Sequence, residues 1–205
     1  MASSVEVPAI PAEQLEADGV TPRTGSKLYA EKDYWEYRFS SRAEGGGGDD
    51  DFEWLAKWEH VSAILEAVIP SKSARVLLVG CGSSSLGADM ARAGYTGVVQ
   101  TDYSAACIAS MRSAHEAEFP SMPFAVADMT RLRPDLEAAG LLGTPFDAVL
   151  DKAAMDAMLA DGGDTWHPPE DLLARARDVC DSTCDVLAPG GKYVQISFAQ
   201  PHFRR

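Results

Sequence analysis

Short β-branched and aliphatic runs alternate with helical stretches over most of the chain, and no other feature narrows its possible folds as far. RVLLV from Arg75, VVQ from Val98, FAVA from Phe124, FDAVL from Phe146 and KYVQISF from Lys192 read as five strands. Helical patterns occupy residues 85–93, 105–118, 134–139 and 171–187 between them. A strand that leads through a helix into the next strand needs a crossover, and crossovers are right-handed. The implied fold class is α/β, with a doubly wound, mostly parallel sheet. Runs as continuously apolar as VLLV suit strands covered on both faces.

At 205 residues, 46% of them hydrophobic, the chain supports one substantial core rather than two. Residues 1–25 carry Pro8, Pro11 and Pro22 without an apolar period and are expected to form a flexible arm. Residues 26–205 are expected to form a single domain, with a cap and first helix over 26–70 and the sheet-bearing core over 74–205. Within the cap, KLYAEKDYWEYRF is dense in aromatics, and SSRAEGGGGDDD reads as a loop. Trp54, Leu55, Trp58, Val61, Ile64, Leu65 and Val68 then recur at three and four residues. That spacing predicts an amphipathic helix over 52–69, ended by Pro70.

Several functional classes are disfavoured. No apolar run is long enough to span a bilayer, and the first residues lack the basic and apolar regions of a signal peptide, so a cytoplasmic protein without membrane contact is expected. Cys81, Cys107, Cys180 and Cys184 lack CxxC spacing, which predicts reduced thiols and no metal site. A formal charge of −13 repels a phosphate backbone, so nucleic acid is not an expected partner, and it attracts basic protein segments.

Chemistry concentrates where strands end. VLLVGCGSSSLG sets Gly80, Cys81 and Gly82 directly after the first strand, with Ser84 and Ser85 at the start of a helix. Glycines there let the backbone approach a ligand, and free amides at a helix start favour anionic groups. The turn lacks the third glycine of the dinucleotide fingerprint, which argues against a nicotinamide dehydrogenase. Asp102 ends the second strand about 20 residues on, where a carboxylate can accept hydrogen bonds from two ribose hydroxyls, with Tyr103 and Ser104 following. A second reading of Asp102, as the N-cap of the next helix, stays open, and Ser104 fits that role equally. Asp128 follows the third strand, and Met129 beside it suits a flat adenine face; a plain turn is the alternative. Asp151 and Lys152 end the fourth strand, at the edge where open α/β sheets bind ligands.

This ordered set resembles the class I S-adenosylmethionine-dependent methyltransferases, which are Rossmann-like. DYWEYRF, FEWLAKWEHV, LLVGCGSSSLG, TDYSAACIASM, VLDKAAMDAML, LAPGGKYVQIS and PHFR look more narrowly like the eukaryotic methyltransferase-like protein lysine methyltransferases, described members of which act on elongation factor one-alpha or citrate synthase. The resemblance implies S-adenosyl-L-methionine as cofactor, S-adenosyl-L-homocysteine as product, and a protein substrate with an accessible lysine. It also implies that Tyr34, Trp35 and Arg38 close the site and that Trp54 flanks the methionine end. The acceptor amine would then be desolvated among Trp35, Tyr37, Trp54 and Trp166, with Asp151 orienting it. ADGGDTWHPPED reads as a substrate loop. His60, His115, His167 and His202 are scattered and are not expected in the site. Members of the family carry two further strands after the fifth, which are not visible in this sequence, so the fifth is expected to be an edge that is exposed or paired with another chain. A small-molecule methyltransferase and a non-catalytic cofactor- or partner-binding module remain as alternatives.

Overall fold

A computed structural model of the chain describes residues 26–43, 53–160 and 167–198. The expected arm, most of the glycine-rich loop, Trp166, His202 and the terminal PHFR lie outside the described residues.

Four strands form where the apolar runs predict them, β1 (Arg75–Val79), β2 (Gly97–Asp102), β3 (Phe124–Val126) and β4 (Phe146–Lys152), while the fifth, β5 (Leu187–Ile196), starts ahead of the run expected from Lys192. They make one all-parallel sheet in the order β3-β2-β1-β4-β5. The chain therefore winds outward from β1 through β2 to β3, then returns to lay β4 on the other side of β1. That reversal opens a crevice beyond the carboxyl ends of β1 and β4.

Side-chain alternation divides the core. Val76 and Leu78 of β1 pack with Leu65, Ile69, Met90 and Met111 on one face, while Leu77 and Val79 pack with Leu132, Leu136, Phe146, Val149 and Val186 on the other. Helices α2 (Trp58–Val68), α3 (Leu86–Arg92) and α4 (Ala105–His115) cover the first face, and α5 (Leu132–Ala138) and α7 (Glu170–Val186) cover the second. Full burial of each aliphatic side chain contributes roughly 1.5–3 kcal/mol.

The helices depart from expectation at several local points. The apolar period starting at Trp54 does not become helix until Trp58, because Leu55 sits at φ 65°; Lys57 is then the N-cap, its N–H donating to His60 Nδ1 at 3.1 Å. Ile64, although on the expected stripe, is 63% exposed. The aromatic segment, which carried no helix assignment, forms α1 (Lys32–Ala43), preceded by a 3-10 turn at Ser26–Ala30. Downstream, α6 (Ala154–Met158) is a five-residue helix entered through Ala153 at φ 67°.

On the far side of the sheet, α7 passes straight into β5 at Leu187, and the β4–β5 register slips between Phe146 and Ala148. Among the described residues β5 pairs only with β4 and is the sheet edge. No helix of the described residues is long and apolar enough to cross a membrane.

Candidate functional site

The crevice at the strand reversal is the floor of a cavity of about 1560 Å³. Its base is the glycine turn after β1. Gly80 has φ 57°, and a Cβ there would lie 2.4 Å from Ala154 Cβ, so the turn is pressed against the start of α6. Gly82 has φ 51°, and a Cβ there would meet only Phe39 Cζ, at 3.9 Å. The first glycine is therefore required by packing and backbone, the second by backbone alone, and its open side faces the cap.

Asp102 joins two turns. Its Oδ2 accepts from Gly82 N–H at 3.0 Å and its Oδ1 from Ser104 N–H at 2.9 Å. It is 4% exposed, and burial pushes its carboxyl upward, against the pull of those two amides. The N-cap role falls to Ser104, whose Oγ accepts from Cys107 N–H at 3.1 Å. Ser104 is fully buried and does not reach the cavity, which corrects its expected place at the ligand. Tyr103 does line the cavity, and its phenol is pushed upward by burial and then by the Asp102 charge.

Ser84 lines the cavity with its Oγ accepting from Leu86 N–H at 3.1 Å. Ser85 does not line it: its backbone N–H donates to Glu53 Oε2 at 3.0 Å and its hydroxyl to Asp89 Oδ2 at 2.6 Å. Asp128 and Met129 also line the cavity. Oδ1 of Asp128 accepts from the N–H and the hydroxyl of Thr130, at 2.9 and 2.8 Å, so the turn reading holds for that oxygen while the residue still lines the cavity.

An aromatic roof covers this floor. Trp35 stacks on Phe39 with centroids 5.9 Å apart and lies 6.4 Å from Trp54, and its indole N–H donates to Tyr29 O at 2.8 Å. Arg38 lines the cavity, its guanidinium 5.5 Å from the Trp35 ring and bonded to Tyr34 Oη at 3.1 Å. Tyr34 is buried beneath, and Tyr37 does not reach the cavity, contrary to its expected place beside the acceptor amine.

The roof is fastened to the sheet by a contact that spans 99 residues of sequence: Lys152 Nζ pairs with Glu53 and donates to Trp54 O at 2.8 Å. Both charged side chains are less than 10% exposed, at 7% and 9%. Lys152 lines the cavity at the strand edge, as its place at the end of the fourth strand predicts; its partner Glu53 is a site residue that nothing local in the sequence marks.

Asp151 is the largest departure. It was expected to touch the reacting amine, but it is completely buried and does not line the cavity. Its Oδ1 accepts from the N–H groups of Ala154 and Met155, and its Oδ2 from Tyr193 Oη at 2.8 Å and Gln195 Nε2 at 3.0 Å. Burial pushes its carboxyl upward. The groups it holds, Tyr193 and Gln195, are the ones that line the cavity, and only their alternation along β5 could have revealed them. Of the histidines, His60 is exposed and caps α2, and His115 stacks on Phe124.

The architecture places the chain among proteins with the Rossmann-like methyltransferase fold. Solved structures that match include the S-adenosylmethionine-bound amino pentose methyltransferase CalS10 from Micromonospora echinaspora, with a TM-score of 0.50, 23% identity and coverage of 81% of this chain and 57% of that one. PH0226 from Pyrococcus horikoshii OT3 matches at a TM-score of 0.50 and 19% identity, over 68% of this chain and 53% of its own. No protein-family model matches the chain.

By sequence the chain is similar to the eEF1A lysine methyltransferases. EEF1A lysine methyltransferase 4 of Mus musculus is 30% identical over 176 residues, covering 86% of this chain and 64% of the relative. The eEF1A lysine and N-terminal methyltransferase of the same species is 34% identical over 179 residues, covering 86% of this chain and 23% of the relative. The chain thus spans less than two thirds of the length of these curated relatives.

Proposed function

We propose that this chain is an S-adenosyl-L-methionine-dependent methyltransferase that methylates a lysine side chain of a protein, in the cytoplasm, releasing S-adenosyl-L-homocysteine. The observation that carries the reading is the buried Asp102 carboxylate joined to the Gly82 amide at the strand reversal, beneath the roof of Trp35 and Trp54. The cradle fits the group. Gly82 presents backbone and no side chain to the cavity, and the Asp102 carboxylate, bonded to two amides and the Cys107 thiol, has acceptor capacity left for a ribose hydroxyl. Met129 and Tyr103 supply flat or polarizable surface for a base.

When bound, the cofactor supplies an electrophilic methyl group, and transfer needs an acceptor held in line with water excluded. No nucleophile from the protein is required. Trp35 and Trp54 form the part of the cavity that desolvates an incoming amine and so favours its neutral form. Asp151, with its oxygens taken by four donors, acts through Tyr193 and Gln195, which it positions at the cavity wall. A net charge of −13 suits a basic protein segment, and eEF1A, the protein in the relatives' names, is the first substrate to try.

Calorimetric titration with S-adenosylmethionine, S-adenosylhomocysteine and NAD tests the reading, followed by labelled-methyl transfer to eEF1A. Binding of the first two with silence from NAD is expected. No binding of either would overturn the cofactor site, and binding without transfer to any protein would leave a cofactor-binding module in place of an enzyme.

A further inference from the structure

The fold brings together three groups that the sequence keeps apart. Cys81 lies in the glycine turn after β1, Asp102 ends β2, and Cys107 sits in the first turn of α4. One sulfur from each cysteine and one carboxylate oxygen all lie within 4.8 Å of one another. The three residues are 6%, 4% and 1% exposed, and Cys81 and Asp102 line the large cavity. The expectation of no metal site rested on the absence of CxxC spacing, whereas these ligands come from three separate elements.

We infer that Cys81, Asp102 and Cys107 form a site for a single soft divalent cation such as zinc, with a fourth coordination position open to the cavity. Zinc–sulfur bonds of about 2.3 Å and zinc–oxygen bonds of about 2.0–2.2 Å in tetrahedral geometry put ligand atoms roughly 3.5–3.8 Å apart. From separations within 4.8 Å the cluster needs to contract by at most about 1.3 Å.

Buried thiols often serve as small apolar groups. The charge around this pair argues for more. The Asp102 carboxylate is buried, forms no ion pair among the described residues, and feels the negative field of Glu36. Glu36 Oε2 is itself buried without a hydrogen-bond partner among the described residues. Negative charge buried without a counter-ion is costly, and a divalent cation relieves it. Asp102 accepts from the amides of Gly82 and Ser104 and also from the Cys107 thiol, and metal binding would replace the thiol's bond with a metal–oxygen bond. On binding, the two thiol protons leave to solvent and the cation is held by two thiolates and one carboxylate.

A consequence follows for the proposed cofactor, and it rests on that proposal where the metal site does not. The carboxylate that would hold the ribose is a metal ligand, so cation and nucleoside partly exclude each other by drawing on the same acceptor.

The experiment uses the whole reduced chain, stripped with a chelator and titrated with cadmium while the sulfur-to-metal charge-transfer band is followed, then with zinc by calorimetry. One equivalent of each is expected. Cys107→Ser should weaken zinc by more than about 100-fold, beyond the range of outer-shell changes. The exposed thiols Cys180 and Cys184 serve as the control, and their double serine variant should bind like the parent. Absence of the band, binding that survives Cys107→Ser, or binding lost in the control variant would overturn the site. Should Cys107→Ser fail to fold by circular dichroism, Cys81→Ser takes its place with the same expected loss. With zinc bound, S-adenosylhomocysteine affinity should fall at least about tenfold, the scale of a lost carboxylate contact; unchanged affinity would overturn the exclusion. If the metal-free chain binds no S-adenosylhomocysteine, the cofactor reading fails while the zinc stoichiometry still decides the metal site.

Discussion

Two buried carboxylates dominate the site and do different work. Asp102 presents its oxygens at the cavity, and Asp151 spends its own on the interior. Asp102→Ala is expected to weaken S-adenosylhomocysteine by roughly 1 to 3 kcal/mol through lost charged hydrogen bonds, and unchanged affinity in calorimetry would remove it from the site. Asp151 gives a test by pH. Burial raises its folded carboxyl above the unfolded value, so the folded chain holds its proton more tightly than the unfolded chain does. Stability from this group is then fully present below the unfolded value and is lost as pH rises through the folded one. Relative to Asp151→Asn, which cannot titrate, the parent should gain stability in urea unfolding as pH is lowered from neutral toward the ordinary carboxylate range. A difference that moves the other way would mean that the bonds from Tyr193 and Gln195 outweigh burial.

At the level of elements the glycine turn separates packing from binding. Gly80→Ala meets Ala154 at 2.4 Å as well as an unfavourable φ, and should cost about 2–4 kcal/mol of stability in denaturant melts. Gly82→Ala has only the backbone cost, about 1–2 kcal/mol, and should act mainly on nucleoside affinity because its new methyl enters the cavity. If both variants lose stability equally, the open side assigned to Gly82 is wrong.

This turn was legible in the sequence because a strand, two glycines and a helix start are contiguous. The strands were legible for the same reason, their β-branched runs being local. Other parts of the site were not. Five residues of α6 are too few to show a period, and its entry at Ala153 uses a positive φ that alanine does not advertise. The start of α2 was missed because Leu55, apolar and in phase, takes a left-handed conformation. The Lys152–Glu53 contact, the service of Asp151 to β5 and the meeting of Cys81 with Cys107 are long-range consequences of strand order that no window of sequence contains.

Across the whole molecule the excess of acid sets how substrates arrive. With 31 acidic against 18 basic residues, a lysine-bearing basic segment is drawn in over distances that salt shortens. kcat/KM on a basic protein should therefore fall several-fold between about 0.05 and about 0.3 M salt, while S-adenosylmethionine affinity changes little. An equal fall in both would place the salt effect at the cofactor. The roof has a further use at this scale. Two of the four tryptophans, Trp35 and Trp54, stand 6.4 Å apart above the cavity floor, each within 6 Å of Tyr29. The molecule thus carries its own optical gauge: emission from an indole pair shifts when its surroundings change polarity, so anything entering the crevice or lifting the cover registers without a label attached.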